Sequence, residues 1–84
     1  VNNTIMRLVT VTATYAPLAA ARTVATVNIS CPPGNSGDIY IRGDLDEDVP
    51  IEPGEWHDLH RVDLAELFVK GTPGDVVKII GGTW

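Results

Sequence analysis

Two histidines three residues apart, His57 and His60, and four carboxylates at Asp44, Asp46, Glu47 and Asp48 are the groups in this chain best suited to hold a metal or move a proton. A His-x-x-His pair faces one way only on a helix. On a strand, side chains alternate, and the same spacing sends the two rings to opposite faces. Trp56-His57-Asp58-Leu59 reads as strand, and no third and fourth ligand stands at zinc spacing. The pair is expected to be surface histidines or a polar handle at a subunit contact. The acidic run fails a different test. Counted from Asp44, Glu55 stands twelfth, but the sixth position holds Val49 where an EF-hand loop needs glycine for its sharp turn. A solvated acidic loop is the expectation.

The nucleophiles lead no further. Cys31 has no His at motif spacing and ends an apolar face, so a buried, inert thiol is expected. Ser30 and Ser36 lack any Ser/His/Asp frame. The glycines at 34, 37, 71, 74, 81 and 82 build no phosphate loop, because no Gly-Lys-Ser/Thr and no Gly-x-Gly-x-x-Gly follows a strand. A miniature metal-binding cupin can be drawn from the Pro53-Gly54-Glu55 turn and the two histidines, but it lacks further ligands and most of the strands. The chain is expected not to be an enzyme and to carry no cofactor and no metal.

The elements that would have to position such groups are strands. Val and Ile are abundant and Thr recurs, while long Ala-Leu-Lys helical runs are missing. Thr4 to Thr14 contains Val9, Thr10, Val11, Thr12 and Thr14 with no breaker and reads as one long strand. Ala16 to Ala21 is a connector in which Pro17 forbids a central strand. Arg22 to Cys31 is a second strand, with Thr23, Ala25, Val27, Ile29 and Cys31 inward and Thr26, Asn28 and Ser30 outward. After the Pro32–Gly37 loop, Asp38 to Arg42 turns Ile39 and Ile41 inward and Tyr40 and Arg42 outward. A strand from Trp56 to Leu59 follows the Pro53-Gly54 turn, and Val62 to Glu66 forms a short helical or 3₁₀ turn with Asp63 as a possible cap. Leu67–Lys70 and Val76–Ile80 are the last strands, joined by the Pro73-Gly74 turn. The expected fold is all-β: a small antiparallel sandwich or barrel of about six strands, in one domain over residues 1–84.

With 84 residues and a single cysteine, the chain has no internal disulfide, and a core of this size supplies no more than about 3–5 kcal/mol. Self-association is the remaining stabiliser. Six basic against eleven acidic residues give a net charge of −5, which argues against nucleic acid and against an anionic membrane surface as direct partners. The longest apolar stretch, Ala16 to Ala21, is far short of a bilayer span. No positively charged leader opens the chain, and a start at Val1 fits removal of an initiator Met.

Trp56 and Trp84 each carry a large apolar payload for so small a core. Either can fill the interior or anchor a partner, since Trp is enriched at binding hot spots. The residues expected to meet partners are Trp84 and Trp56, together with Ile5, Arg7, Val9 and Val11 of the first long strand, whose edge can extend a neighbour's sheet.

Val49-Pro50-Ile51-Glu52-Pro53-Gly54-Glu55-Trp56, then Leu67-Phe68-Val69-Lys70-Gly71-Thr72-Pro73-Gly74-Asp75 and Val76-Val77-Lys78-Ile79-Ile80-Gly81-Gly82-Thr83-Trp84, resemble the C-terminal half of small tailed-bacteriophage virion proteins. Val9-Thr10-Val11-Thr12 and Ile39-Tyr40-Ile41-Arg42 match the two earlier strands of that group. The shared motifs are turn chemistry. Similar sequences are often capsid decoration (cement) proteins, head fibres or structural gene products of undescribed role. The resemblance implies a homotrimer on the capsid exterior, made in the host cytoplasm, that bridges copies of the major capsid protein. An adhesin-like module that binds carbohydrate or protein through Trp56, Tyr40 and the acidic loop, including a tail or head-fibre component, is the alternative.

Overall fold

Ile and Val at alternate positions of Val24–Ser30 and Val76–Thr83 bury one face of each strand and leave the other to solvent, which dictates a sheet with one dry side. The computed structural model describes residues 3–84. Its strands are β1 (Thr4–Thr10), β2 (Ala16–Pro17), β3 (Val24–Ser30), β4 (Ile39–Arg42), β5 (Val49–Ile51), β6 (Trp56–Asp63), β7 (Phe68–Lys70) and β8 (Val76–Thr83), with a 3₁₀ turn at Leu64–Glu66. They form two four-stranded sheets, in the orders β1-β8-β3-β6 and β2-β7-β4-β5. All described pairings are antiparallel. The fold is a small β-sandwich, as expected.

Ala25, Val27, Ile29, Val77 and Ile79 of the first sheet face Ile39, Ile51 and Val69 of the second, with Leu64 and Cys31 closing the core. Of the inward set expected for this strand, Ala25, Val27, Ile29 and Cys31 are in the core, whereas Thr23 precedes β3 and is half-buried, and Ser30, expected outward, is buried. Two Pro-Gly pairs turn the chain as their chemistry demands. Gly54 (φ 94°) and Gly74 (φ 96°) take the left-handed conformation, and Glu55 N–H and Asp75 N–H close back on the Glu52 and Thr72 carbonyls at 2.9 and 3.0 Å.

Three expectations are corrected. The first strand ends at Thr10 rather than Thr14, because Val11 and Thr12 spend their backbone groups on the 71–75 turn: Val11 N–H donates to Asp75 O and Gly71 N–H to Thr12 O, both at 2.9 Å. The strands number eight rather than about six among the described residues, because Ala16–Pro17 and Val49–Ile51 also pair. Both extra strands hold a proline and lie at sheet edges, where a missing N–H costs nothing. Finally, β6 runs on through Val62 to Asp63. The register against β3 goes from Val27↔Leu59 to Ala25↔Val62, so β6 carries an extra residue opposite Thr26. This bulge, with Arg61 at φ 52°, returns Val62 to the core side. Asp63 does cap the 3₁₀ turn, accepting from Ala65 N–H at 3.0 Å.

Candidate functional site

Strand alternation sorts the outer face of the first sheet into rows. One row reads Met6, Ile80, Asn28, Asp58, and the next Leu8, Lys78, Ser30, Trp56. Met6 and Leu8 are 70% and 69% exposed, and Ile80 lies beside them, so an uncovered apolar strip runs along the β1–β8 edge. Met6 and Leu8 were not among the expected contact residues. The parity of Thr4–Thr10 contains the signal, because inward Ile5 fixes Met6 and Leu8 as outward.

The expected contact residues separate into two groups. Ile5 and Val11 are each 3% exposed and belong to the core, so neither offers a side chain to a partner. Val9 is half-buried against the same core. Arg7 has inward parity yet is exposed, because β1 is a sheet edge. An inward-pointing charge there discourages uncontrolled edge-to-edge pairing. Trp56 and Trp84 are 60% and 56% exposed, and neither plugs the sandwich.

The two indoles differ in how they are held. Trp56 flanks a groove of about 300 Å³ shared with Asn28, Ser30, Glu55 and Lys78. The Ser30 hydroxyl is buried beneath this groove without a hydrogen-bond partner. Trp84 is pinned. Its backbone N–H donates to Val24 O at 2.9 Å, and its indole N–H to Thr26 Oγ1 at 2.6 Å. The Arg61 guanidinium stacks 4.5 Å from its ring centroid, and His60 meets it edge-on at 5.4 Å and 88°. The bulge in β6 places both His60 and Arg61 on this side. His57 pairs with Ile29 and lines the opening between β5 and β6, so the two histidines do lie on opposite faces. Among the described residues no group of three or more His, Cys, Asp or Glu side chains could hold a metal.

The outer face of the second sheet is a charged network. Tyr15 Oη donates to Asp48 Oδ1 at 2.6 Å, while Arg42 lies 4.1 Å over the Tyr15 ring and 3.3 Å from the same carboxylate oxygen. Lys70 reaches Asp48 at 3.6 Å and sits 4.8 Å from the Tyr15 ring centroid. Burial, reinforced by the bond to Asp48, pushes the Tyr15 hydroxyl up to about 12. The Tyr15 hydrogen bond, followed by the Lys70 and Arg42 charges, holds Asp48 below the ordinary carboxylate range. The acidic segment is therefore only partly a solvated loop, since Asp46 and Asp48 are tied to Arg42. Cys31 is buried, and Asn35 Nδ2 approaches its sulfur at 3.2 Å.

Among the described residues, neither face lines up a nucleophile, a base and an orienting acid. What the two sheets offer is contact chemistry: an apolar strip with two cations beside it, two exposed indoles, and a cation–tyrosine–carboxylate lattice. No family model matches the chain, and neither a curated protein nor a solved structure matches it.

Proposed function

We propose that this chain is a structural component of a tailed-phage particle, a capsid decoration subunit that binds on the capsid exterior and bridges coat proteins. The observation that carries the reading is the uncovered strip of Met6, Leu8 and Ile80 on the outer face of the first sheet, which shares that face with Trp56 and Trp84. Contiguous apolar surface of this kind marks an interaction site. Fully burying such a side chain contributes about 1.5–3 kcal/mol, and association costs about 4–15 kcal/mol. One strip alone therefore gives a weak contact, and a particle with many copies supplies the remainder through avidity. The resemblance in the turn motifs of the C-terminal half supports the same reading. Mass spectrometry of density-gradient-purified virions from a lysate of the producing strain tests it: the chain should appear in a fixed ratio to the coat protein. Its absence from washed particles that are otherwise complete overturns the reading.

The glycan-binding alternative keeps one specific support. Trp56 and His60, against which Trp84 packs, are four residues apart on β6, about 13 Å at strand rise. Asn28 and Asp58, hydrogen-bonded at 3.0 Å, lie between them. Quenching of Trp fluorescence by oligosaccharides would favour this use of the face.

A further inference from the structure

Two cations stand at the margin of the strip on β1 and β8: Lys78 on the same face, and Arg7, whose inward parity leaves it exposed at the open edge of β1 beside Met6 and Leu8; neither has an ion pair among the described residues. The other four cations are all engaged. Arg22 pairs with Asp63, Arg42 and Lys70 pair with Asp48, and Arg61 stacks on Trp84. Among the described residues, the side-chain cations without a partner are the two around the apolar strip.

The matching surface is on the other flank. The segment between β4 and β5 carries Leu45, an exposed large apolar side chain. Asp44 and Glu47 stand on either side of it, and neither has an ion pair among the described residues. Asp46 and Asp48 pair with Arg42 at 3.6 and 3.3 Å while staying exposed, so the apolar tip of the loop is ringed by carboxylates of which Asp44 and Glu47 have no ion pair among the described residues. Val49 and Ile51 of β5 line the same opening as His57 and Leu59 of β6. The β5 edge of one sheet therefore lies over the β6 edge of the other, and β1 is on the opposite flank. One flank shows an apolar strip with two unpaired cations, and the other an apolar knob with two unpaired anions.

We propose that the occupant of the strip is a second copy of this chain, which seats Leu45 against Met6, Leu8 and Ile80 while its Asp44 and Glu47 pair with Arg7 and Lys78. Two different surfaces meet in such a contact, so it is head-to-tail. It closes as a ring where the rotation permits and otherwise extends as a filament. Apolar contact supplies affinity, and the charges fix orientation and exclude strip-on-strip and knob-on-knob pairings, which set like charges together. The interface does not rest on the virion reading, because it is measured on purified protein whether or not the chain is found in particles.

The test is a charge exchange followed by sedimentation velocity and native mass spectrometry. One variant carries Arg7→Glu with Lys78→Glu, and a second carries Asp44→Lys with Glu47→Lys. All four positions are exposed, and circular dichroism and thermal melts confirm that each variant keeps its fold. The wild-type chain should assemble as its concentration rises. Each variant alone should associate at least tenfold more weakly, and an equimolar mixture of the two should recover assembly in which the variants alternate. A third variant, Leu45→Ser, keeps every charge and should also weaken association. Four results overturn the proposal: a wild-type chain that stays monomeric at millimolar concentration, variants that assemble as wild type does, a mixture no heavier than its separate components, or Leu45→Ser unchanged.

Discussion

Trp84 and Thr26, 58 positions apart in the chain, are joined by an indole N–H to hydroxyl bond of 2.6 Å. The same Thr26 oxygen accepts the Arg61 backbone N–H at 3.1 Å, and His60 Nδ1 lies 3.2 Å away. A hydroxyl has two acceptor positions and one proton. With both acceptor positions filled, its proton must point at His60 Nδ1, so the neutral imidazole carries its hydrogen on Nε2. Nitrogen-15 NMR should report that tautomer for His60. Thr26→Val keeps the shape and removes the hydroxyl. The variant should lose about 1–2 kcal/mol in urea unfolding and lose the fixed orientation of Trp84, seen as a weakened near-ultraviolet indole band.

Gly81 lies where β8 passes closest to the backbone of β3. A Cβ added there would fall on the Thr26 carbonyl oxygen and lie 2.7 Å from Val27 Cα. Backbone cannot swing aside as the end of a side chain can. Gly81→Ala should therefore destabilise the protein by about 1–3 kcal/mol or more, while Gly34→Ala, which meets nothing within 4 Å, should leave the urea midpoint nearly unchanged.

Arg61 is the one non-glycine residue with positive φ among those described, at 52°. Holding a residue with a Cβ in this region costs about 1–2 kcal/mol, and stacking on Trp84 offsets about 0.5–1 kcal/mol of it. Substitution separates these two contributions. Arg61→Ala loses the stack and keeps the strain, so it should be less stable than wild type. Arg61→Gly loses both and should exceed Arg61→Ala by about 1 kcal/mol. Equal stability of the two variants would mean that the bulge stores no strain.

That bulge also marks where the sequence stopped being legible. Alternation in Arg22–Cys31 and in Asp38–Arg42 leads directly to the inward Ala25, Val27, Ile29 and Ile39, and the two Pro-Gly turns have their expected form. Alternation breaks at Arg61, because an extra residue shifts every later side chain by one. The end of β6 consequently looks like the start of a helical turn. The short β2 and β5 escape notice because each holds a proline, and only the sheet order makes them edges. In β1 alternation sets Met6 and Leu8 opposite Ile5, and packing of Ile5 into the core decides which of the two sides is exposed. The Tyr15–Asp48 bond spans 33 positions, and no local pattern announces it.

Asp75 is the anchor of the loop between β3 and β4. Its carboxylate accepts from Ser36 N–H, Gly37 N–H and the Ser36 hydroxyl, all at 3.1 Å. Beside it, the Asn35 side chain bonds both backbone groups of Val76. The Ser36 backbone bond, followed by that from Gly37, holds the Asp75 carboxyl below its ordinary range. A group whose folded pKa is lowered binds its proton more readily in the unfolded chain. Its stabilisation is therefore present above about pH 3.9, the ordinary aspartate value, and drains away as pH falls from there through the folded value. Asp63, lowered first by the Thr23 backbone bond, and Asp48 act in the same direction. Wild-type stability in urea should accordingly fall as pH drops from 5 to 2. Asp75→Asn cannot take up the proton, so it should begin less stable at pH 7 and lose less over that interval. Parallel pH profiles for the two proteins would remove Asp75 from the acid response and leave it to Asp48 and Asp63.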